Sequence, residues 1–237
     1  MGSHFVRSSE DLGEDLVLSP ERYAVRSTGL GAHPTHRRLV DWVEVRSENL
    51  RPATLAAATP VLVLDTTHAQ DGFVLARHAP QPAGTLGSAK RALQPGDVIV
   101  SRLRPYLRQV AYVDAGLFQL LPQGNGVVAS SEFFVLRKRA ALEPIALVPF
   151  LLSAPVQRAL AAGQEGGHHP RFRRDLLASL PVPDAVIAQA DPTAACLRAH
   201  AEAVRAALHA SQHLATVAEH AILAAEQPES ATHPSMR

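Results

Sequence analysis

The sequence is poor in the features that define several large classes of protein. It contains one cysteine, Cys196, so neither a disulfide framework nor a cysteine-based zinc site can form. No apolar run approaches the roughly 18 residues that a transmembrane helix needs, and the first residues carry no apolar core of the signal-peptide type. These absences favour a cytoplasmic protein without a membrane partner.

Signatures of common enzymes are also missing. There is no Gly-x-Ser-x-Gly elbow, no P-loop, no dinucleotide fingerprint and no His-Glu-x-x-His motif. Adjacent histidines such as His168 and His169 rarely bind one ion, so we expect no metal and no cofactor. A small metal-dependent nuclease remains an alternative, although the spacing of its candidate acids does not require one. Those acids are Asp65, Asp71, Asp97 and Glu132.

The composition is that of a globular protein whose charges are distributed unevenly. The 237 residues suffice for one medium domain with an appendage, and 46% of them are hydrophobic. The formal net charge is +1, but residues 91–174 carry eleven basic and five acidic side chains. A basic middle third suits a face that binds a polyanion, whereas an unevenly charged solvated surface is the simpler interpretation of charge alone.

Short apolar runs separated by turn residues predict a β-rich region in the first two thirds of the chain. Strands are expected at 61–67, after the Asp71-Gly72 turn, and at 97–100, 109–113 and 132–137, with a further turn at 124–126. The segment 37–45 fits a short strand or a turn of helix. We therefore predict an α+β fold in which a mixed sheet forms a partly rolled barrel with small helices.

Helical spacing dominates the last third. Helices are expected over 143–163 and, for a short turn, after Asp175. The alanine-rich stretch 192–226 predicts one helix of about 50 Å. Apolar and small residues recur along this helix at alternating intervals of four and three, which is a heptad seam that favours pairing with another helix. The seam consists of Leu197, Ala201, Val204, Leu208, Ser211, Ala215, Ala218 and Ile222.

Arginines are concentrated in two loops. SRLRPYLR (101–108) lies between two predicted strands, which puts Arg102, Arg104, Arg108 and Tyr106 on a hairpin loop. Arginine forms forked contacts to phosphate or to guanine edges, so this loop suits a DNA groove as well as an ordinary charged surface.

The second basic loop is GGHHPRFRRD (166–175), whose glycines and arginines also suit anion contact. A third basic run, RKR (137–139), ends a predicted strand. It is typical of a solvated strand end, with nucleic-acid contact as the alternative.

The order of these motifs resembles that of the target recognition domains in specificity subunits of type I restriction–modification systems. The segment LQPGDVIVSRLRPYLRQVAYV is similar to the family's succession of a turn, a strand, a basic loop and a second strand. The segment GVVASSEFFVLRKR is similar to the strand that follows in the family. The closing signature of the family, a helix with a Gly-rich basic loop, is similar to VPFLLSAPVQRALAAGQEGGHHPRFRRDLLASLPVPD. A long dimerising helix follows in both, so the resemblance covers about residues 91–226.

The resemblance implies non-catalytic recognition of a short half-site in double-stranded DNA. In this family the specificity is passed to a DNA adenine methyltransferase subunit and often to a restriction subunit, in defence against foreign DNA. The implied DNA contacts are Arg102, Arg104, Tyr106 and Arg108 in the hairpin, and His169, Arg171, Arg173 and Arg174 in the Gly-rich loop.

The chain departs from the family because it carries one recognition domain and one long helix rather than two of each. The resemblance implies a recognition domain at 1–184 with a loosely matched start at 1–35, a helix at 190–226 and a disordered tail at 227–237. The helix would pair with a second copy, with a different half-subunit or with a methyltransferase helix. An adaptor of the same fold that binds proteins but not DNA is the second alternative.

Overall fold

The computed structural model describes residues 36–76, 78–121, 126–166 and 169–226. Within these ranges the strands are β1 (Arg37–Arg38), β2 (Val43–Arg46), β3 (Pro60–Leu64), β4 (Ala69–Gln70), β5 (Gly72–Val74), β6 (Gln81–Pro82), β7 (Lys90–Ala92), β8 (Val98–Ser101), β9 (Val110–Tyr112), β10 (Val127–Ser130), β11 (Phe133–Lys138), β12 (Gln164–Glu165), β13 (Arg171–Phe172) and β14 (Pro181–Val182). The helices are α1 (Leu39–Trp42), α2 (Val148–Leu152), α3 (Ala154–Ala162), α4 (Arg174–Ala178), α5 (Asp184–Ala188) and α6 (Ala190–Glu226). The predictions for 1–35 and for the tail lie outside the described residues, as does most of the predicted turn at 124–126.

Two mixed sheets form the β-rich region. The larger has the strand order β2-β11-β8-β9-β5-β4, and the smaller has the order β6-β3-β10-β7. Strands β5 and β9 run parallel, as do β3 and β10, whereas the other pairs within these two sheets are antiparallel. The predicted α+β class with mixed sheets is therefore confirmed, and the strands are divided between two open sheets.

The larger sheet is covered on both faces, which explains why its central strands are almost uniformly apolar. In β8, Ile99 belongs to a core shared with the smaller sheet, whereas Val98 and Val100 belong to a core shared with the helices. In β11, Phe133 and Phe134 divide in the same way between the two cores. Successive side chains of a strand point to opposite faces, so a strand buried on both sides needs apolar residues at every position.

The helical spacing predicted for 143–163 corresponds to three consecutive pieces. A 3₁₀ turn at Pro144–Leu147 leads into α2, and α3 begins directly after Ser153. In the described part of the chain no single helix is long and apolar enough to cross a membrane. Two consecutive helical segments, Pro144–Leu152 and Ala154–Ala162, are long and apolar enough only when taken together, and the chain bends by 76° between them.

The long helix α6 begins two residues before its predicted start and has the predicted end. Its first turns pack on the domain: Ala190, Ala194 and Ala201 are buried, and Leu197 contacts the same core. The Arg205 guanidinium forms an ion pair with Asp114. From Ser211 to Leu223 every side chain is exposed, so the predicted seam is divided into a half that contacts the domain and a half that projects from it.

Candidate nucleic-acid interface

The arginine-bearing loop lies on a β-hairpin, as the sequence predicts. Strands β8 and β9 pair antiparallel with Val98 opposite Tyr112 and Val100 opposite Val110. Between them a 3₁₀ turn at Pro105–Leu107 forms the tip. A rigid two-stranded base therefore presents this loop at one end of the larger sheet.

The tip is bounded by two arginines in the left-handed backbone region. Arg104 has φ 44° and Arg108 has φ 54°. This conformation costs a residue with a Cβ atom about 1–2 kcal/mol, so it is retained only where the surrounding structure holds it. Between these two left-handed residues Pro105 is buried, whereas Tyr106 and Leu107 are exposed.

Four side chains at the tip, those of Arg104, Tyr106, Leu107 and Arg108, are exposed. Tyr106 is 67% exposed and Leu107 is 46% exposed. Arg104 is exposed, and its guanidinium has no hydrogen-bond partner among the described residues. Arg108 donates from Nε to Asp71 Oδ1 at 3.1 Å, but both side chains are solvated and such a pair contributes little. The tip therefore retains donors for a ligand.

The Gly-rich loop is part of a short two-stranded ribbon, whereas the sequence predicts only a loop. Strands β12 and β13 pair with Gln164 opposite Phe172 and Glu165 opposite Arg171. Gly166 has φ +100°, which favours glycine at the turn out of β12. His168 lies outside the described residues, and His169 is exposed and accepts a hydrogen bond at its carbonyl from Arg171 Nη1 at 2.9 Å.

One carboxylate joins the two basic loops. Glu132 accepts from Arg102 Nε at 2.9 Å, and from Arg171 Nε and Nη2 at 2.8 Å each. The backbones also meet, because Leu103 bridges to Arg171 and the Phe172 amide donates to the Arg102 carbonyl at 3.2 Å. Hydrogen bonds from Arg171 and then from Arg102 lower the pKa of Glu132 to about 2. The loops therefore form one fixed surface rather than two independent ones.

A groove of about 620 Å³ lies between the ribbon and the larger sheet. Residues that line it include Arg91, Arg102, Arg171, Arg173 and Arg174, together with Phe134, Phe172, Glu165 and Asp175. Arg173 and Arg174 are exposed, and Arg174 donates from Nε to the Val45 carbonyl at 2.8 Å. Four of the eight residues predicted to contact DNA therefore lie around this groove, while Arg104, Tyr106 and Arg108 lie at the hairpin tip.

The RKR run at 137–139 is occupied by contacts within the protein. Arg137 donates from Nε and Nη2 to the buried carboxylate of Asp97 at 2.9 and 2.7 Å. Lys138 pairs with Glu143, and Arg139 donates to the Val40 carbonyl at 3.0 Å. These partners favour a structural role over nucleic-acid contact.

The acids of the nuclease alternative are not gathered into one site. Asp97 is bound to Arg137, Glu132 is bound to two arginines, and Asp71 faces Arg108. No group of three or more His, Cys, Asp or Glu side chains in the described part of the chain is placed to hold a metal ion.

The sequence does not predict the role of two residues at this surface, Arg91 and Glu132. Arg91 belongs to no recognisable motif, and Glu132 lies in the segment GVVASSEFFVLRKR without any indication that it would bind arginines of two loops. Both lie next to this surface because distant strands meet there, and Arg91 is itself buried, which only the fold shows.

The arrangement defines an α+β protein with two mixed sheets, a basic hairpin and a long C-terminal helix. Among solved structures, the chain is similar to one from a study of complex assembly and conformational transition in the type I restriction–modification system. The TM-score is 0.51 and the identity 21%, over 84% of this chain and 50% of the other. The HsdS subunit from Thermoanaerobacter tengcongensis also matches, with a TM-score of 0.47 and 20% identity, over 86% of this chain and 53% of that subunit.

The resemblance inferred from sequence motifs is therefore confirmed at the level of the fold. The chain spans about half the length of the solved chains that it matches. No family model and no curated protein matches the sequence.

Proposed function

We propose that this protein recognises a short sequence in double-stranded DNA as the non-catalytic specificity component of a type I-like restriction–modification system. The observation that carries the proposal is the joining of two arginine-rich loops by Glu132 into one exposed surface. The fold shared with a chain of a type I system supports the same assignment.

The chemistry of this surface suits duplex DNA. Arginine binds phosphate oxygens and guanine edges through forked pairs of N–H groups, and a hairpin tip is narrow enough to enter a major groove of about 12 Å. Tyr106 adds an exposed aromatic ring near the exposed guanidinium of Arg104, which has no partner among the residues that the structure describes. The tip residues are therefore the proposed contacts with base edges.

The proposed protein partner is a DNA methyltransferase subunit, with a restriction subunit as a further component of such a system. The projecting half of α6 exposes Leu214, Val217, Ile222 and Leu223, which are 67%, 50%, 60% and 52% exposed. A helix with four exposed large apolar side chains suits a helical partner in a bundle. A second copy of this chain is the simplest such partner, and it would yield a two-fold symmetric DNA site.

Selection from random duplexes tests the proposal. We expect the purified protein, at moderate salt, to enrich a defined motif from a pool of random double-stranded DNA. Arg104→Gln should change or abolish the motif because it removes a forked donor at the tip, whereas Arg198→Gln on α6 makes the same charge change away from the tip and should leave the motif intact. The proposal would be contradicted if the protein enriched no motif either alone or together with a methyltransferase subunit.

An adaptor without DNA recognition is the second candidate, and the exposed apolar residues of α6 favour it. It predicts a stable protein complex through residues 211–223 and no enriched motif. The selection therefore separates the two candidates, because only DNA recognition yields a motif that depends on Arg104.

A further inference from the structure

Among the described residues that line the arginine groove, basic side chains outnumber acidic ones. Among the described residues, five arginines and two carboxylates, Glu165 and Asp175, line the groove, and Glu132 behind them is a third carboxylate, which leaves a surplus of two positive charges. Glu132 lies behind Arg102 and Arg171 and serves both of them, so one carboxylate is shared by two guanidinium groups. A surplus of this size favours an anionic ligand.

The environment of Arg91 also favours a bound anion. It is 5% exposed, and its Nε and Nη2 donate to the carbonyls of Phe133 and Ser131 at 3.1 Å each. Its Nη1 is buried and has no partner among the described residues. Burial, followed by repulsion from Arg102, lowers the pKa of Arg91. A buried cation whose only bonds are to neutral carbonyls is stabilised by an anion placed nearby.

The anion that fits best is a phosphate of the DNA backbone, an inference that rests on the function proposed above. Within the described part of the chain, the Arg102 side chain donates only from Nε, to Glu132, so the edge formed by its two Nη atoms faces no protein acceptor there. Arg173 and Arg174 are exposed at the same groove. Phosphate oxygens accept such forked donors, and phosphate contacts fix the position of a protein on a duplex without recognising sequence.

We propose that the groove binds a backbone phosphate through Arg102, Arg173 and Arg174, and that Glu132 is a positioning residue that determines selectivity. Glu132 fixes Arg102 and Arg171 in place and offsets part of their charge, so DNA of arbitrary sequence is held weakly. The hairpin tip then supplies the contacts that discriminate between sequences. Without Glu132, two released arginines would bind phosphates on any duplex.

The phosphate site is tested with Arg173→Gln and a labelled short duplex of fixed, arbitrary sequence. Fluorescence anisotropy measures affinity between roughly 50 and 200 mM salt, where each phosphate contact contributes about 0.9 to the logarithmic slope. We expect the slope to fall by about one and the affinity to fall for every sequence alike. Arg198→Gln is the matched control. A slope equal to that of the control would overturn the phosphate site.

The role of Glu132 is tested with Glu132→Gln in the same assay and in the random-duplex selection. We expect affinity for the arbitrary duplex to rise roughly five- to tenfold at 0.1 M salt, as for one added phosphate contact, and motif enrichment to fall. Glu143→Gln makes the same charge change beside Lys138 and should alter neither readout. A purely structural role would leave enrichment unchanged, and unchanged or weaker binding to the arbitrary duplex would overturn the inference.

The outcomes distinguish this inference from the function on which it rests. If the wild-type protein enriches no motif, the proposed function fails. If it enriches a motif but Arg173→Gln and Glu132→Gln behave like their controls, only the phosphate site fails. Circular dichroism reports whether Glu132→Gln is folded. If Glu132→Gln is unfolded, the variant Arg173→Gln, which changes an exposed side chain, tests the phosphate site by itself.

Discussion

At the scale of single residues, Glu132 is the side chain on which the candidate interface depends. Its two oxygens receive three hydrogen bonds from arginines that lie 69 positions apart in the chain, Arg102 and Arg171. Such charge-assisted and bidentate bonds are stronger than neutral ones, particularly where the carboxylate is mostly shielded from water. The interface therefore has its own contribution to stability, and that contribution depends on pH.

The pH dependence of stability follows from the lowered pKa of Glu132. Its pKa is about 2 in the folded protein and 4.5 without the fold, so its stabilisation is complete above 4.5 and is lost as the pH falls toward 2. We expect Glu132→Gln to lower the free energy of unfolding by about 2 kcal/mol at pH 7, after allowance for solvent screening. The difference from wild type should shrink below pH 4.5, because protonated glutamate and glutamine are nearly isosteric.

Urea unfolding of both proteins between pH 7 and pH 3.5 measures this difference. Glu143→Gln removes a carboxylate from an exposed pair and should cost less than about 0.5 kcal/mol at any pH. A difference between wild type and Glu132→Gln that stays constant across the range would show that the Glu132 charge does not stabilise the fold.

At the scale of elements, the β8–β9 hairpin combines strong local signals with a strained tip. A Pro-Gly-Asp turn before β8 and apolar runs on both sides predict the hairpin from sequence alone. The left-handed conformations of Arg104 and Arg108 have no such signal, because glycine or asparagine is the usual residue there. Arginine at a position that favours glycine is expected where the side chain has a function.

The strain at Arg104 can be measured by comparing two truncations. Arg104→Gly and Arg104→Ala remove the same guanidinium, but only glycine adopts φ 44° without a steric penalty. We expect the glycine variant to be more stable than the alanine variant by about 1 kcal/mol in urea unfolding, since both lose the same contacts. Both should lose motif selection. An alanine variant that is as stable as the glycine variant would contradict the assigned backbone strain.

At the scale of the whole molecule, α6 contributes to two different surfaces. Its first half completes the domain core, as Ala194 and Ala201 are buried and Phe73 packs against the His200 ring with centroids 4.7 Å apart. Its second half has no contact that would bury its apolar residues in the described structure. Deleting the entire helix would expose the core, so the projecting half must be tested separately.

Two substitutions on one face of the projecting half test self-association. Leu214→Glu with Val217→Glu places two charges three residues apart, on the same side of the helix. We expect wild-type protein to be dimeric by light scattering and this variant to be monomeric but still folded by circular dichroism, because both side chains are exposed in the single chain.

Thr216→Glu is the control for self-association, since it adds a charge to the opposite side of the same turn and should leave the dimer intact. A wild-type monomer at micromolar concentration would exclude pairing with a second copy and would favour a methyltransferase or another chain as the occupant of this face.

The sequence by itself determined the elements whose signals are local. Alanine content and heptad spacing specify α6 within two residues of its start, and turn residues between apolar runs specify the hairpin and β11. These signals act between near neighbours, because helix propensity, turn geometry and side-chain alternation depend on a few adjacent residues. The family resemblance was also visible in the order of these elements.

Only the tertiary structure decided how distant segments meet. The parallel pairing of β3 with β10 joins strands more than 60 residues apart, and no local pattern specifies it. The same holds for the Glu132 bonds, for the burial of Arg91 and for the pairing of Arg137 with Asp97, which converts an apparent basic patch into an internal contact. Whether an arginine faces a ligand or a carboxylate of its own chain depends on packing between remote segments, and that is settled only when the whole chain folds.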